Sequence, residues 1–138
     1  QHTFADTGFG VILNYTKVDG DATYDPSKPW NVTQFALTGL SDSANAVAFY
    51  DKNGIQGRIA YNWRAKFLAG TGPNPTYVDD YGQFDASASW EFKPGLTAFI
   101  EGINLTNESR RVFGRSYNNV KFVAPGYARY SVGVRYTF

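Results

Sequence analysis

The stretch Ile55-Gln56-Gly57-Arg58-Ile59-Ala60-Tyr61-Asn62-Trp63-Arg64-Ala65-Lys66-Phe67 decides how the rest of the chain is read. Its odd positions hold Ile55, Gly57, Ile59, Tyr61, Trp63, Ala65 and Phe67, and its even positions hold Gln56, Arg58, Ala60, Asn62, Arg64 and Lys66. Successive side chains of an extended strand point to opposite faces. As a strand, the segment therefore has one apolar, aromatic face and one face of Arg, Lys, Gln and Asn. Wound as a helix, it would scatter its charges around the axis. The alternation predicts a strand over 55–67.

Working outward, the pattern recurs. In Gly82 to Phe92, the residues Phe84, Ala86, Ala88, Trp90 and Phe92 oppose Gln83, Asp85, Ser87, Ser89 and Glu91. In Ala128 to Phe138, the residues Tyr130, Val132, Val134, Tyr136 and Phe138 oppose Arg129, Ser131, Gly133, Arg135 and Thr137. Phe9 to Lys17, Ser43 to Tyr50 and Leu96 to Leu105 alternate less cleanly; in the last, Glu101 shares a face with Phe99 and Ile103. The sequence thus predicts six antiparallel strands and an all-β fold. Composition agrees: aromatic residues are 17% of the chain, and the 14 Gly and 6 Pro supply turns.

The connections alternate in length. Asp51-Lys52-Asn53-Gly54 carries the Asn-Gly hairpin signal, and Phe92-Lys93-Pro94-Gly95 has the Pro-Gly order of a tight turn. Val18 to about Asp42, Leu68 to Asp80, and Thr106 to Tyr127 are long and rich in Gly, Pro, Asn and Asp. In a meander, alternate connections lie at the same end. One end therefore has short turns and the other long loops, as in a transmembrane barrel with short periplasmic turns and long extracellular loops.

Other features bound the function. The formal net charge is +1, so no strong field points to nucleic acid. With no Cys, disulfides and thiolate metal sites are excluded. The single His2 precedes the first strand, where serine–histidine chemistry has no partner set. No catalytic constellation, metal-ligand spacing or cofactor motif is present, and the reading is of a non-enzyme that needs no cofactor. No apolar run approaches the ~20 residues of a membrane helix. A mean hydropathy of −0.37 still allows a barrel, whose strands need only alternate residues apolar. Asn31-Val32-Thr33, Asn104-Leu105-Thr106 and Asn107-Glu108-Ser109 match glycosylation acceptors and are read as chance matches. Alternation alone leaves a soluble sandwich open. Aromatics gathered toward strand ends favour the membrane, where rings sit at the two interfaces.

The last nine residues, Tyr130-Ser131-Val132-Gly133-Val134-Arg135-Tyr136-Thr137-Phe138, resemble the C-terminal signal of outer-membrane proteins. There an aromatic last residue follows alternating apolar ones. Such a signal implies the barrel-assembly machinery as a partner, acting through Tyr130, Val132, Val134, Tyr136 and Phe138. Phe99-Ile100-Glu101-Gly102-Ile103-Asn104-Leu105-Thr106-Asn107-Glu108 resembles the penultimate strand and loop entry of TonB-dependent receptors. Arg58 to Leu68 and Tyr81 to Ser89 resemble upstream strands of the same family, in the same order. The likeness covers most of residues 37–138 and has the flavour of the subgroup found in Caulobacter-like and Xanthomonas-like bacteria.

The resemblance implies a 22-stranded outer-membrane barrel with an N-terminal plug. Residues 1–138 would be its C-terminal part, an up-and-down transmembrane segment of about the last six strands. It also implies uptake of a scarce small solute, an oligosaccharide or a ferric siderophore, energised by TonB through a TonB box in the plug. The expected partners are outer-membrane lipid, the rest of the barrel, the plug and TonB. Six strands cannot close a barrel, because single-chain examples start at eight, so further strands and the plug would belong to a longer protein. A passive outer-membrane barrel or adhesin, and a soluble all-β binding module, are the alternatives.

Two groups of residues are candidates for contact with solute. On the polar, lumen face stand Arg58, Arg64, Asp85, Glu91, Glu101 and Arg135. A simple hairpin over 68–80 would set Arg64 near Asp85 and Arg58 near Glu91, as a cross-strand ladder or a polar path. In the long loops, Tyr24, Trp30, Tyr77, Phe113, Arg115, Tyr117 and Asn118 combine flat apolar faces with hydrogen-bonding groups. That mixture suits sugars and anionic chelates, and equally suits loops that pack on themselves.

Overall fold

The computed structural model describes residues 2–19, 24, 25, 27, 28, 34, 36, 38–72 and 74–138. All regular elements among them are strands: β1 (His2–Thr3), β2 (Phe9–Thr16), β3 (Ser43–Lys52), β4 (Ile55–Arg64), β5 (Phe67–Gly70), β6 (Thr76–Val78), β7 (Tyr81–Lys93), β8 (Leu96–Ile103), β9 (Arg110–Phe113), β10 (Val120–Ala124) and β11 (Arg129–Tyr136). They form two antiparallel sheets. The main sheet has the order β1-β2-β3-β4-β7-β8-β11, and a smaller one has the order β10-β9-β6-β5. Among the described residues the main sheet is open, with β1 and β11 as its edges.

The six expected strands are β2, β3, β4, β7, β8 and β11 of the main sheet. Both short turns form where the sequence places them. Asn53 and Gly54 have φ of 56° and 74°, the doubly left-handed backbone of a hairpin turn matched to strand twist. Gly95, after Pro94, has φ 77°.

Three expectations are corrected. The strand expected over 55–67 ends at Arg64, and Phe67 opens β5 in the second sheet. The connections expected as plain loops over 68–80 and 106–127 contain β5, β6, β9 and β10. Their short runs Phe67-Leu68, Tyr77-Val78 and Val112-Phe113 pair with one another, and Leu68, Val78 and Phe113 are among the few buried apolar side chains of the described residues. The third correction is register. Arg64 lies opposite Tyr81, Arg58 opposite Ser87, and Asp85 opposite Ala60. The expected pairs are four residues out of step. An even slip keeps every side chain on its face, so alternation cannot choose between these registers. Side-chain shape chooses: Tyr61 meets Phe84 with ring centroids 4.4 Å apart, and its hydroxyl covers Gly82, where a Cβ would come within 2.5 Å.

The end of β8 is locked to the smaller sheet by a compact polar clamp. Asn104 is buried at φ 53°. Its Oδ1 accepts the Glu108 N–H at 2.9 Å, and its Nδ2 donates to the Glu108 carbonyl at 3.1 Å. Gly126 lies against the same two groups; a Cβ there would fall 1.7 Å from the Glu108 oxygen.

Gly126→Ala is therefore expected to destabilise the fold by about 3 kcal/mol or more, through overpacking against backbone. Gly57→Ala, whose Cβ would meet nothing within 4 Å, is expected to be neutral or stabilising by up to about 1 kcal/mol. Denaturant unfolding followed by near-ultraviolet circular dichroism checks both. Equal midpoints for the two variants would refute the clamp.

Candidate functional site

The register gives the main sheet two unlike faces. One carries Phe9, Val11, Leu13 and Tyr15 of β2, the alanines of β3, Ile55, Ile59, Tyr61 and Trp63 of β4, Phe84 and Trp90 of β7, Ile100 of β8, and Tyr130, Val132, Val134 and Tyr136 of β11. Among the described residues nothing covers it: Leu13 is 71% exposed, Ile59 55%, Trp90 56% and Val132 84%. Besides Pro75 in the connection between β5 and β6, the buried apolar residues among those described are Val47, Ala60, Leu68, Val78 and Phe113. None of the five lies on this face.

The aromatic residues on that face are ordered. Tyr15 and Phe9 on β2, Phe84 and Trp90 on β7, and Tyr130 and Tyr136 on β11 are each six positions apart. The middle of the face is aliphatic. Tyr15 stands in the row Tyr15–Ala44–Trp63–Gly82, Phe84 in the next row, and Tyr130 in the one after, opposite Gly102 and Ala86. Phe9, Trp90 and Tyr136 step by the same amounts. The two aromatic lines are thus parallel and run obliquely across the hydrogen-bond rows. They slip two rows in the five strand steps from β2 to β11.

The opposite face is polar. Arg58, Ser87, Glu101 and Ser131 lie in one row across β4, β7, β8 and β11. Asn45 donates to Asn62 across β3 and β4. Tyr81 donates to Gln83 Oε1 at 2.8 Å, Gln83 donates to Asp85 Oδ1 at 2.7 Å, and the Asn104 N–H donates to the same oxygen at 2.9 Å. Glu91 accepts the Gly95 N–H at 3.0 Å in the β7–β8 turn. The face has no ion-pair ladder; the one ion pair among the described residues is Lys17–Asp19, both exposed. Glu101 and Arg135 line a common groove, with Arg135 opposite Thr97 and Glu101 opposite Ser131.

Among the loop candidates, Tyr77, Phe113 and Tyr117 come together. Tyr77 stacks on Phe113 at 5.5 Å, Phe113 meets Tyr117 edge-on at 5.2 Å, and Arg111 lies over the Tyr117 ring at 3.9 Å. Phe113 is buried at the centre of this cluster. Tyr117 keeps an open ring. The Tyr24 hydroxyl donates to the Gly72 carbonyl at 3.4 Å. Arg115 is half-buried and Asn118 exposed. Trp30 lies outside the described residues.

Sequence reasoning missed a cavity of about 700 Å³ where the polar face meets the smaller sheet. Arg64, Tyr81, Gln83, Asn104 and Arg129 line it from the main sheet. Phe67, Asp79, Glu108, Arg110 and Tyr127 line it from the segments beyond. Arg129 was within reach of the pattern, since it shares the polar face with Arg135. Arg110 and Tyr127 were not, because their place depends on the unforeseen strands. The chain matches no protein-family model, and no curated protein or solved structure is significantly similar to it.

Burial, and secondarily the Tyr24 phenol beside it, raise the Tyr77 phenol above its ordinary value of 10.0. The fold favours the neutral form. Its contribution is present below pH 10 and is lost as pH rises through the higher folded value. Ultraviolet difference titration is expected to show a late-ionising phenol that Tyr77→Phe removes, together with reduced sensitivity of that variant to pH above 10. An unchanged late-ionising population in Tyr77→Phe would refute this.

Proposed function

We propose that the main sheet is part of the wall of a bacterial outer-membrane β-barrel, and that the barrel is that of a TonB-dependent transporter. The observation that carries the membrane reading is the uncovered apolar face bounded by two parallel aromatic lines. Water does not tolerate an apolar surface of this extent without a partner. Hydrocarbon does, and interfacial girdles of Tyr, Trp and Phe are what its two borders favour.

The dimensions support the same reading. Six residues along a strand span about 20 Å, and Phe92 and Phe138, two positions further, extend the band to about 26 Å. A barrel's apolar band is about 25 Å tall. A slip of two rows is about 13 Å along the strands, over five spacings totalling about 24 Å. If the aromatic lines mark the membrane plane, the strands tilt by about 30°, near the 35–45° of membrane barrels. A soluble sandwich has no reason to keep two such lines parallel.

On this reading the turns at Asn53-Gly54 and Pro94-Gly95 face the periplasm, and the smaller sheet and the cavity beneath it face outward. The open edges at β1 and β11 meet further strands, because an unpaired ladder in hydrocarbon leaves backbone groups without partners. Transport of a scarce solute, TonB and a plug enter through the likeness of Phe99 to Glu108 and its neighbours to the receptor family. Tyr117, Tyr24 and the polar face would meet the solute.

Two variants test the wall. Made in the longer barrel proposed to carry this segment, Val132→Arg puts a charge on the apolar face and is expected to cost insertion into phosphatidylcholine liposomes about 2–4 kcal/mol. Ser131→Arg, one position away on the polar face, is expected to insert like the parent. Protease protection reads both. A chain that is monomeric and cooperatively folded without detergent, or a Val132→Arg variant that inserts normally, would sink the membrane reading.

A further inference from the structure

We infer that the cavity between the polar face and the smaller sheet is a binding subsite for a small, flat organic anion. This rests on the transporter reading above and names the class of solute for it. The volume, about 700 Å³, falls within the 300–1,000 Å³ of small-molecule sites.

The charges select the sign. Arg64, Arg110 and Arg129 line the cavity against two carboxylates, Asp79 and Glu108. No guanidinium there is ion-paired to a described carboxylate. Arg64 is already engaged: its Nε donates to Ser41 Oγ at 2.9 Å, and its guanidinium lies 4.0 Å over the Phe67 ring. Arg110 and Arg129 make no side-chain hydrogen bond or ion pair with another described residue. Each offers a planar fork of donors that matches carboxylate or phosphate oxygens two at a time. A cation entering the same space would meet three guanidiniums, and a neutral solute would gain no charge-assisted pair from either fork.

The shape follows from the rings. Tyr127 is 70% exposed beside Arg129, and the Tyr81 hydroxyl is held by Gln83, which leaves its ring to pack. A flat solute can lie against these rings with its oxyanions turned to Arg110 and Arg129. Asn104, Glu108 and Gly126 also line the cavity, and the two Asn104–Glu108 hydrogen bonds tie the end of β8 to the segment that leads into β9. Solvated surface arginines would be the plainer account of either residue alone. Their convergence on one ring-lined cavity is what that account leaves out.

The probe is benzene-1,3,5-tricarboxylate, titrated by calorimetry into the 138-residue chain folded in detergent micelles. The neutral 1,3,5-tris(hydroxymethyl)benzene and inorganic phosphate serve as comparisons. The tricarboxylate is expected to bind with submillimolar Kd, phosphate more weakly, and the neutral triol without measurable heat. Arg110→Gln and Arg129→Gln are each expected to weaken the tricarboxylate about tenfold, the scale of a lost charge-assisted pair. Lys52→Gln makes the same change of charge beside the Asn53-Gly54 turn, at the far end of the sheet from the cavity, and is expected to leave binding unchanged. Near-ultraviolet circular dichroism verifies that the variants keep the parent fold. Tricarboxylate binding no tighter than the triol, or equal in parent, Arg110→Gln and Arg129→Gln, overturns the inference. Dependence on detergent, read on the same protein, separates the two ideas: a chain that folds only with detergent and binds no anion defeats the subsite alone, and a monomer cooperatively folded without detergent defeats the wall.

Discussion

The two ladders that flank β4 hold everything else in place. Ten residue pairs join it to β3 and ten join it to β7. They fix which face each side chain takes, and an odd slip would turn Ile59, Tyr61 and Trp63 inward and Arg58 and Arg64 outward. The apolar face, the aromatic lines and the row through Arg58, Ser87 and Glu101 all follow from that one register. So does the position of Arg64 at the rim of the cavity, since β4 ends there and the chain turns away to begin β5.

What sets the main sheet apart is where its apolar surface goes. In a soluble β-sandwich, the inner faces of two sheets interdigitate to make a core. Here the smaller sheet sits at one end and buries mostly itself, through Leu68, Val78 and Phe113. Val47 and Ala60, the two buried apolar residues of the large strands, point with the polar side chains rather than with the apolar ones. Among the described residues, the aromatic and aliphatic side chains of six strands have no protein neighbours on their outer side. That arrangement is what the proposed place in a membrane explains.

Much of this was legible in the residues. Alternation gave the six large strands because period two survives any tertiary context that keeps one side wet and one side apolar. Asn53-Gly54 and Pro94-Gly95 marked their turns because each needs a left-handed backbone at a defined position. The register of β4 on β7 was not legible, since a slip of four residues preserves the faces, and only the fit of Tyr61 over Gly82 and against Phe84 decides it. The smaller sheet escaped for a different reason. Its strands are three to five residues long and come from separate connections, so no local period announces them. The cavity was hidden with it.

The pairing of β6 with β9 joins two connections that are far apart along the chain. Tyr77 of one lies against Phe113 of the other, and Lys121 reaches across to donate to Thr76 Oγ1 at 2.6 Å. Two loops that could each wander are thereby made into one body. The conformational entropy of ordering them is lost when the chain folds, at about 1–2 kcal/mol per residue of backbone. A molecule arriving at this end of the sheet then meets walls already set, and little of its contact energy is consumed in arranging them.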